Sequence, residues 1–425
     1  MRNHKIFACL LFCLFVTIFS SKNSNAQTVD QGWTDYRGPN LNGHSAAQNI
    51  PLSWNDSSNV AWKTPMPGRG WSSPVILNNK IWLTTALNDG KNLNLLAINS
   101  TSGKIEFNLN LFKRDSLQEN HPLNSYASPS PVVEDGKVYA NFGTYGTACV
   151  DTESGEIIWK RSDFHCEHEV GPGSSPFLYE NLLILTYDGT DVQFLVGLDK
   201  ETGKIIWKRN RDVDLKDQSP ESRKAFTTPI IGKINGEDQL ISVGPHIVAG
   251  YNPQTGERVW HANFKGFSGS SRPLVVENKL FFNTGFGPSA VIALKLGGEG
   301  NVTDSIAWIN KKSTQARSSA LYIDSLLYMV NTGGQAKCFV AETGEELWTE
   351  RVGRFTSSSP IYVGGNIYTF DEEGLITIFK PGRVFQKIGE NQMRDGFMAS
   401  PAIVGDSLFL RSKSQLYKIV DLKSD

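Results

Sequence analysis

Basic side chains recur in the segments that precede a repeated Ser-Ser-Pro triplet, and these segments are termed leading loops. Arg or Lys occurs in six of eight leading loops and acids occur in two, although the formal net charge of the chain is −1. A planar guanidinium matches carboxylate, sulfate or phosphate, and interleaved aromatic rings can stack on a ring or sugar face. The sequence therefore predicts a basic and aromatic binding funnel. Its predicted residues are Arg69, Trp71, His121, Tyr126, His165, His168, Arg223, Lys224, Arg272, Arg317, Arg354 and Arg394.

The same arginines are open to a second interpretation. Each can pair with a Glu or Asp of a neighbouring repeat and thereby tie the leading loops together. A paired arginine of this kind stabilises the fold and does not attract an anionic ligand.

The run His165-Cys166-Glu167-His168-Glu169 is the densest cluster of ligand-type side chains. Two histidines and a carboxylate can bind a transition metal, but a short irregular loop sets no fixed geometry, and structural zinc sites normally use four ligands. A solvated loop with ordinary histidines is the favoured interpretation, and no metal site is predicted.

The triplets mark a repeat that must position the leading loops. Each begins a short apolar strand, and successive triplets lie 40–57 residues apart. A four-stranded propeller blade typically takes about 40–45 residues. The eight positions are Ser72-Ser73-Pro74, Pro129-Ser130-Pro131, Ser174-Ser175-Pro176, Thr227-Thr228-Pro229, Ser271-Arg272-Pro273, Ser318-Ser319-Ala320, Ser358-Ser359-Pro360 and Ala399-Ser400-Pro401. The sequence predicts an all-β fold, an eight-bladed β-propeller of four-stranded antiparallel blades.

Closure of the ring is predicted from one strand without a repeat of its own. Val60–Lys63 resembles an outer strand with no first three strands before it, and the last repeat ends after Gln415–Ile419 without an outer strand. Pairing the two segments removes an exposed edge and closes the circle. The predicted propeller spans residues 59–425, preceded by an ordered lead-in at 27–58, in which Trp33 and Tyr36 are expected to be buried.

The start of the chain predicts export. Arg2 and Lys5 precede an apolar run, Ile6–Phe19, and small residues stand at Ser24 and Ala26, so residues 1–26 are predicted to be a removable secretory signal. The mature chain is expected to have no transmembrane segment and to be periplasmic or secreted. Its near-zero net charge disfavours nucleic-acid binding.

The five cysteines predict no disulfide framework. Cys9 and Cys13 lie in the predicted signal, and an odd number, Cys149, Cys166 and Cys338, remains. Cys149 and Cys338 are expected to be small buried core residues.

The pattern of a Ser-Ser-Pro first strand, an Asp-x-x-x-Gly turn and a Trp in the outer strand resembles the pyrroloquinoline-quinone-like repeat of eight-bladed propellers. The resemblance covers the chain from about Trp33 onward. That superfamily includes quinone-dependent alcohol and sugar dehydrogenases as well as cofactor-free scaffolds, so it implies either pyrroloquinoline quinone with calcium or no cofactor. The adjacent cysteine pair of the alcohol-oxidising members is missing here, and no acid matches their catalytic base, so no catalytic residue is assigned.

These observations favour an exported binding or scaffold protein whose funnel takes an envelope protein, a peptide or an anionic glycan. The alternative is a quinone-dependent oxidoreductase of alcohols or sugars. The leading interpretation needs only the funnel, whereas the alternative also needs calcium ligands and a carboxylate base.

Overall fold

The computed structural model describes residues 32–312 and 316–422. The predicted signal at 1–26 and the first five residues of the predicted lead-in lie outside the described residues. The described chain forms eight antiparallel sheets arranged as a propeller, with three single turns of 3-10 helix at Gly143–Tyr145, Pro220–Arg223 and Thr303–Ser305. Within these residues, no helix has the length and apolar character needed to cross a membrane.

Each blade runs from an inner strand at the channel to an outer strand at the rim. Blades one to four are β2–β5 (Val75–Leu77, Lys80–Leu87, Asn92–Asn99, Ile105–Lys113), β6–β9 (Val132–Glu134, Lys137–Asn141, Thr147–Asp151, Ile157–Arg161), β10–β13 (Phe177–Tyr179, Leu182–Asp188, Gln193–Asp199, Ile205–Asn210) and β14–β17 (Ile230–Ile234, Glu237–Gly244, Ile247–Tyr251, Arg258–Asn263). Blades five to seven are β18–β20 with β22 (Leu274–Val276, Lys279–Asn283, Val291–Lys295, Ile306–Asn310), β23–β26 (Leu321–Ile323, Leu326–Val330, Gln335–Val340, Glu346–Arg351) and β27–β30 (Ile361–Val363, Asn366–Phe370, Leu375–Lys380, Gln386–Gln392). The short β21 (Gly300–Asn301) adds a parallel strand to the outer edge of blade four.

Blade eight confirms the predicted closure. Its inner three strands are β31 (Ala402–Val404), β32 (Ser407–Arg411) and β33 (Gln415–Ile419), and its outer strand is β1 (Val60–Pro65). Trp62 lies opposite Lys418 in the antiparallel register of β1 and β33. Residues from the two ends of the propeller therefore share one sheet, which leaves no unpaired strand at the junction.

The Ser-Ser-Pro triplet joins strands both within and between blades. The first hydroxyl bonds its own blade, as in Ser318, whose Oγ donates to the carbonyl of Val330 at 2.7 Å. The second hydroxyl accepts the backbone N–H of its counterpart in the preceding blade, as Ser130 does from Ser73 at 2.8 Å. Seven such bonds link the blades around the channel, at Ser73→Ser130, Ser130→Ser175, Ser175→Thr228, Arg272→Ser319, Ser319→Ser359, Ser359→Ser400 and Ser400→Ser73. The step from Thr228 to position 272 lacks this bond because Arg272 carries no hydroxyl.

The recurrent outer-strand tryptophan explains the repeated Asp-x-x-x-Gly turn. Trp62 and Trp159 donate their indole N–H groups to turn carbonyls of the following blade, those of Ser100 at 3.2 Å and Lys200 at 2.9 Å. Gly203 has a φ of +69°, and a Cβ there would lie 2.7 Å from the Trp159 ring. Glycine is required for both the backbone conformation and the close contact. The tryptophans therefore fill the wedges between neighbouring blades.

The lead-in crosses the channel at the end away from the leading loops. Trp33, which is 2% exposed, exchanges two 2.7 Å backbone hydrogen bonds with Ile76 of blade one. On the far side, the Arg37 guanidinium donates to the carbonyl of Pro360 in blade seven at 2.7 Å, and burial lowers its pKa to about 10. The segment at 32–45 therefore forms the channel floor. Trp33 is buried as expected, whereas Tyr36 is only half-buried.

The cysteines agree with the core interpretation. Cys149, Cys166 and Cys338 are free and buried. Burial raises the pKa of the Cys149 thiol to about 12 and that of Cys338 to about 11. These thiols are therefore protonated and unreactive at neutral pH.

Candidate functional site at the channel mouth

All eight leading loops meet around one cavity of about 560 Å³, which is termed the mouth. The inner strands converge on the channel, so the loops before them are brought together although they are distant in sequence. One residue from each successive blade illustrates the ring: Trp71, Asn124, Gly173, Phe226, Phe267, Arg317, Ser357 and Met398. Of the predicted funnel residues, Trp71, His121, Lys224 and Arg317 line this cavity.

The walls of the mouth are largely apolar. Phe226, Phe267 and Phe286 line one side, and Phe286 is 42% exposed. On the other side, Leu123 is 45% exposed, and its carbonyl accepts the indole N–H of Trp71 at 3.1 Å. Exposed aromatic surface in a concave site is typical of a binding site that buries a partner.

The two basic side chains that line the mouth are both paired with acids. Lys224 forms an ion pair with Glu169 and also donates to the carbonyl of Glu221 at 3.0 Å. Arg317 lies 3.2 Å from Glu372, and the Ser357 hydroxyl donates to the same carboxylate at 2.6 Å. These pairs join neighbouring blades, so much of the positive charge anticipated from the sequence is compensated locally.

The other predicted arginines of the mouth end lie around it. The Arg69 guanidinium stacks 5.1 Å from the Trp71 ring and donates to the carbonyl of Pro122. Arg223 donates through Nε to the carbonyl of Gln218 at 3.0 Å and so fixes its own loop. Two further arginines are exposed: Arg354 pairs with Glu373 at 3.2 Å, and the backbone N–H of Arg394 donates to Asp56.

Arg272 lies apart from the mouth cavity, in the interior of the channel. Its side chain is 1% exposed and donates to both Asp35 oxygens of the lead-in, at 2.5 and 3.1 Å. Its Nε donates to the carbonyl of Pro229 at 3.1 Å, and its guanidinium stacks 5.0 Å from the Tyr36 ring. This arginine therefore holds the floor in place and is not available to a ligand at the mouth.

Tyr126 also serves the fold. It is half-buried, and its hydroxyl donates to the carbonyl of Gln118 at 2.7 Å. Burial raises its pKa. His121, in contrast, is exposed at the mouth, where its Nδ1 accepts the N–H of Leu123 at 3.1 Å.

The two histidines of the 165–169 run point to different environments. His165 is exposed and lies 3.1 Å from Glu167 and 3.7 Å from Asp191. His168 is buried, its Nε2 accepts the Thr144 N–H at 3.0 Å, and burial lowers its pKa to about 4. Across residues 32–312 and 316–422, no three His, Cys, Asp or Glu side chains are grouped as metal ligands.

The match to a known family rests on most of the chain. A family model described as outer membrane protein assembly factor BamB matches residues 52–162, 116–294 and 244–381, which together cover more than half of the sequence. The chain belongs to this family. A curated relative, BamB of Yersinia pestis, is 26% identical over 157 residues, which are 35% of this chain. The alignment spans 36% of the length of that relative.

Solved structures share the propeller. BamB from Moraxella catarrhalis superposes with a TM-score of 0.60 at 13% identity, covering 84% of this chain and 99% of that chain. A europium-containing methanol dehydrogenase gives 0.67 at 10% identity, covering 92% and 98%. The quinohemoprotein alcohol dehydrogenase from Comamonas testosteroni gives 0.64 at 10% identity, covering 91% and 80%. At these identities the likeness concerns the fold alone.

The mouth lining offers few carboxylates of the kind that bind calcium. Ca²⁺ takes about six to eight oxygen ligands, usually with several carboxylates. Among the described lining residues the acidic side chain is Glu221, and nearby Glu169 and Glu372 pair with Lys224 and Arg317. The three cysteines of the described residues are free and buried, and none of them lines the mouth.

The sequence interpretation missed part of the lining. Phe286 lies between β19 and β20, in a connection that is not a leading loop, yet it lines the mouth. Its signal was present as a large apolar residue between Gly285 and Gly287, whose φ angles are +81° and +85°. Ser357 and Met398 were not predicted as lining residues, because serine and methionine do not by themselves indicate a binding site.

Proposed function

We propose that this protein is an exported binding or scaffold protein whose mouth holds an extended segment of another envelope polypeptide. The observation that carries the proposal is the mouth itself, an open cavity to which all eight blades contribute and in which Lys224 and Arg317 are already ion-paired. What remains for a partner is apolar and aromatic wall together with hydroxyl and amide groups. Such walls suit the side chains and backbone of a peptide.

Family membership supports a role in assembly. The matching family is described as an outer membrane protein assembly factor. A propeller that binds a partner at its mouth is consistent with a role in outer membrane protein assembly. The secretory pattern of residues 1–26 supports a periplasmic or secreted location.

A polypeptide is favoured over an anionic glycan because of the charge distribution. A polyanion gains most from unpaired cations, and a cation already paired with a carboxylate attracts it weakly. At the mouth, Glu169 and Glu372 compensate the lining cations, and Glu221 adds a further negative charge.

Site-specific photo-crosslinking in the intact envelope tests the proposal. A photoreactive phenylalanine analogue at position 286 is expected to crosslink to an envelope polypeptide, and the same analogue at position 384 is the matched control. Val384 is 79% exposed and lies on the connection between β29 and β30, outside the mouth lining. Phe226→Ala is expected to lower the adduct at 286 by about fivefold, since it removes an aromatic contact from the same wall.

Two results would count against a peptide at the mouth. One is the absence of any adduct at 286, or equal adducts at 286 and 384. The other is retention on an anionic polysaccharide that Arg69→Ala abolishes and Phe286→Ala leaves unchanged. Addition of pyrroloquinoline quinone and calcium to the purified protein tests the dehydrogenase alternative, for which dye-linked oxidation of alcohols or sugars is the readout.

A further inference from the structure

The second residue of each inner strand occupies an equivalent place in the repeat. In blade one this residue is Ile76, and in blade seven it is Tyr362. The N–H and carbonyl of such a residue point to the same side of an antiparallel strand. The lead-in shows that this side faces the channel.

The lead-in pairs with these channel-facing groups as a short extended segment. Trp33 exchanges both backbone hydrogen bonds with Ile76 at 2.7 Å. On the opposite side, the Tyr362 N–H donates to the carbonyl of Gly43, and the Ser45 N–H donates to the carbonyl of Tyr362, both at 2.9 Å. Inner strands of this propeller therefore accept an added strand from within the channel.

Blades four and five leave the equivalent groups open. Their counterpart residues are Ile231 and Val275, and both line a cavity of about 560 Å³ at the floor, termed the floor groove. Across the part of the chain that the structure describes, the lead-in makes no backbone hydrogen bond to either residue. Both residues are half-buried, so water or a ligand can reach them. Backbone groups in such a position require a partner.

The walls of the floor groove define what it can hold. Leu41 of the lead-in packs against the hydrophobic clusters of blades three to five, and it lines the groove together with His44 and with Tyr322 of blade six. Lys233 lies in β14 and Glu277 directly follows β18, both side chains are exposed, and their opposite charges compensate each other. The groove therefore combines an open strand edge with apolar and aromatic walls and no net charge preference.

We propose that the floor groove binds an extended, apolar peptide segment of a partner polypeptide by strand addition. The peptide pairs with Ile231 or Val275 in the way that Trp33 pairs with Ile76, and its alternate side chains contact the Leu41 wall. This site lies at the opposite end of the channel from the mouth. It does not depend on what the mouth binds.

Selection from a phage-displayed library of random peptides, with the purified full chain as target, tests the proposal. Enriched peptides are expected to be apolar and extended, and their binding is expected to slow hydrogen exchange of the Ile231 or Val275 amide. Ile231→Pro removes the N–H that faces the channel and is expected to weaken such a peptide about tenfold, whereas Ile231→Ala keeps the N–H and weakens it less. Phe286→Ala at the mouth is the control and is expected to have no effect.

A second variant covers the case in which Ile231→Pro does not fold. Asn40 is exposed at the rim of the groove, so Asn40→Trp is expected to fold and to block the peptide by bulk. The proposal is wrong if no peptide is enriched, if the enriched peptides respond to Phe286→Ala instead of the groove variants, or if the protected amides lie away from Ile231 and Val275.

Discussion

The two ends of the channel are made from the same repeats yet differ in what they present. At the mouth the leading loops contribute side chains, and the lining cations are held by Glu169 and Glu372. At the floor one unique segment lies against inner strands and bonds their backbone, as Trp33 does with Ile76. A repeat with eight similar units thus forms a side-chain site at one end and a backbone site at the other. The difference arises because only the floor is crossed by a segment outside the repeat.

Position 272 marks where the floor departs from the repeat. The equivalent residue is serine or threonine in the other seven blades, and its hydroxyl links neighbouring blades. Arg272 replaces that hydroxyl bond with an ion pair to Asp35. One of the eight hydrogen bonds that would link neighbouring blades is therefore replaced by an ion pair that anchors the lead-in.

The largest expected effect comes from breaking this anchor. Asp35→Ala leaves the Arg272 guanidinium buried without its counter-ion and is expected to lower the free energy of unfolding by about 3–5 kcal/mol. Chemical denaturation of the purified protein measures the change. The double variant Asp35→Ala with Arg272→Ser is expected to recover at least half of the loss, because it removes the buried charge and supplies the missing hydroxyl to the Thr228 N–H. A double variant no more stable than Asp35→Ala would refute this account of position 272.

The next effect concerns His168, whose burial makes it part of the scaffold that supports the mouth. Its pKa is lowered from 6.5 to about 4 in the folded protein, so the unfolded chain takes up the proton more readily. Stability is therefore expected to fall as the pH drops from about 6.5 to 4, by up to about 3 kcal/mol from this group. Thermal unfolding across this range measures it. His168→Gln is the control, and its stability should depend less on pH; equal pH dependence in the two proteins would contradict the assignment.

The smallest expected effect is a difference in stability between an exposed ion pair and a partly buried one. The side chain of Arg354 is 72% exposed, whereas that of Arg317 is 29% exposed and its partner Glu372 is 11% exposed. Arg354→Ala is expected to change stability by less than about 0.5 kcal/mol, and Arg317→Ala is expected to cost about 1 kcal/mol. Denaturant titration of both variants provides the comparison. A larger loss for Arg354→Ala would show that the rim pairs contribute as much as those that line the mouth.

Most of the fold could be predicted from the sequence because its signals are local and periodic. The Ser-Ser-Pro triplets, the turn glycines and the outer-strand tryptophans each act through contacts with an adjacent strand or blade, so the same spacing repeats around the ring. The unpaired strand at Val60–Lys63 then predicted the closure by elimination, which pairing of β1 with β33 confirms.

The candidate site was less predictable, because residue type does not reveal the partners of a charged side chain. Arg211 shows this outside the funnel: it directly follows the outer strand of blade three, yet its guanidinium is buried against Asp188 at 2.5 Å.

The sequence alone determined the number of blades, the order of their strands and the convergence of the leading loops. Only the tertiary structure decided which cations are compensated, that Arg272 serves the floor, and that the lead-in pairs with blades one and seven but not with blades four and five. The physical reason is the sequence separation over which each kind of contact forms. Turn, strand and wedge contacts are encoded within one repeat length, whereas ion pairs and added strands form across the ring, between residues whose separation in sequence carries no period.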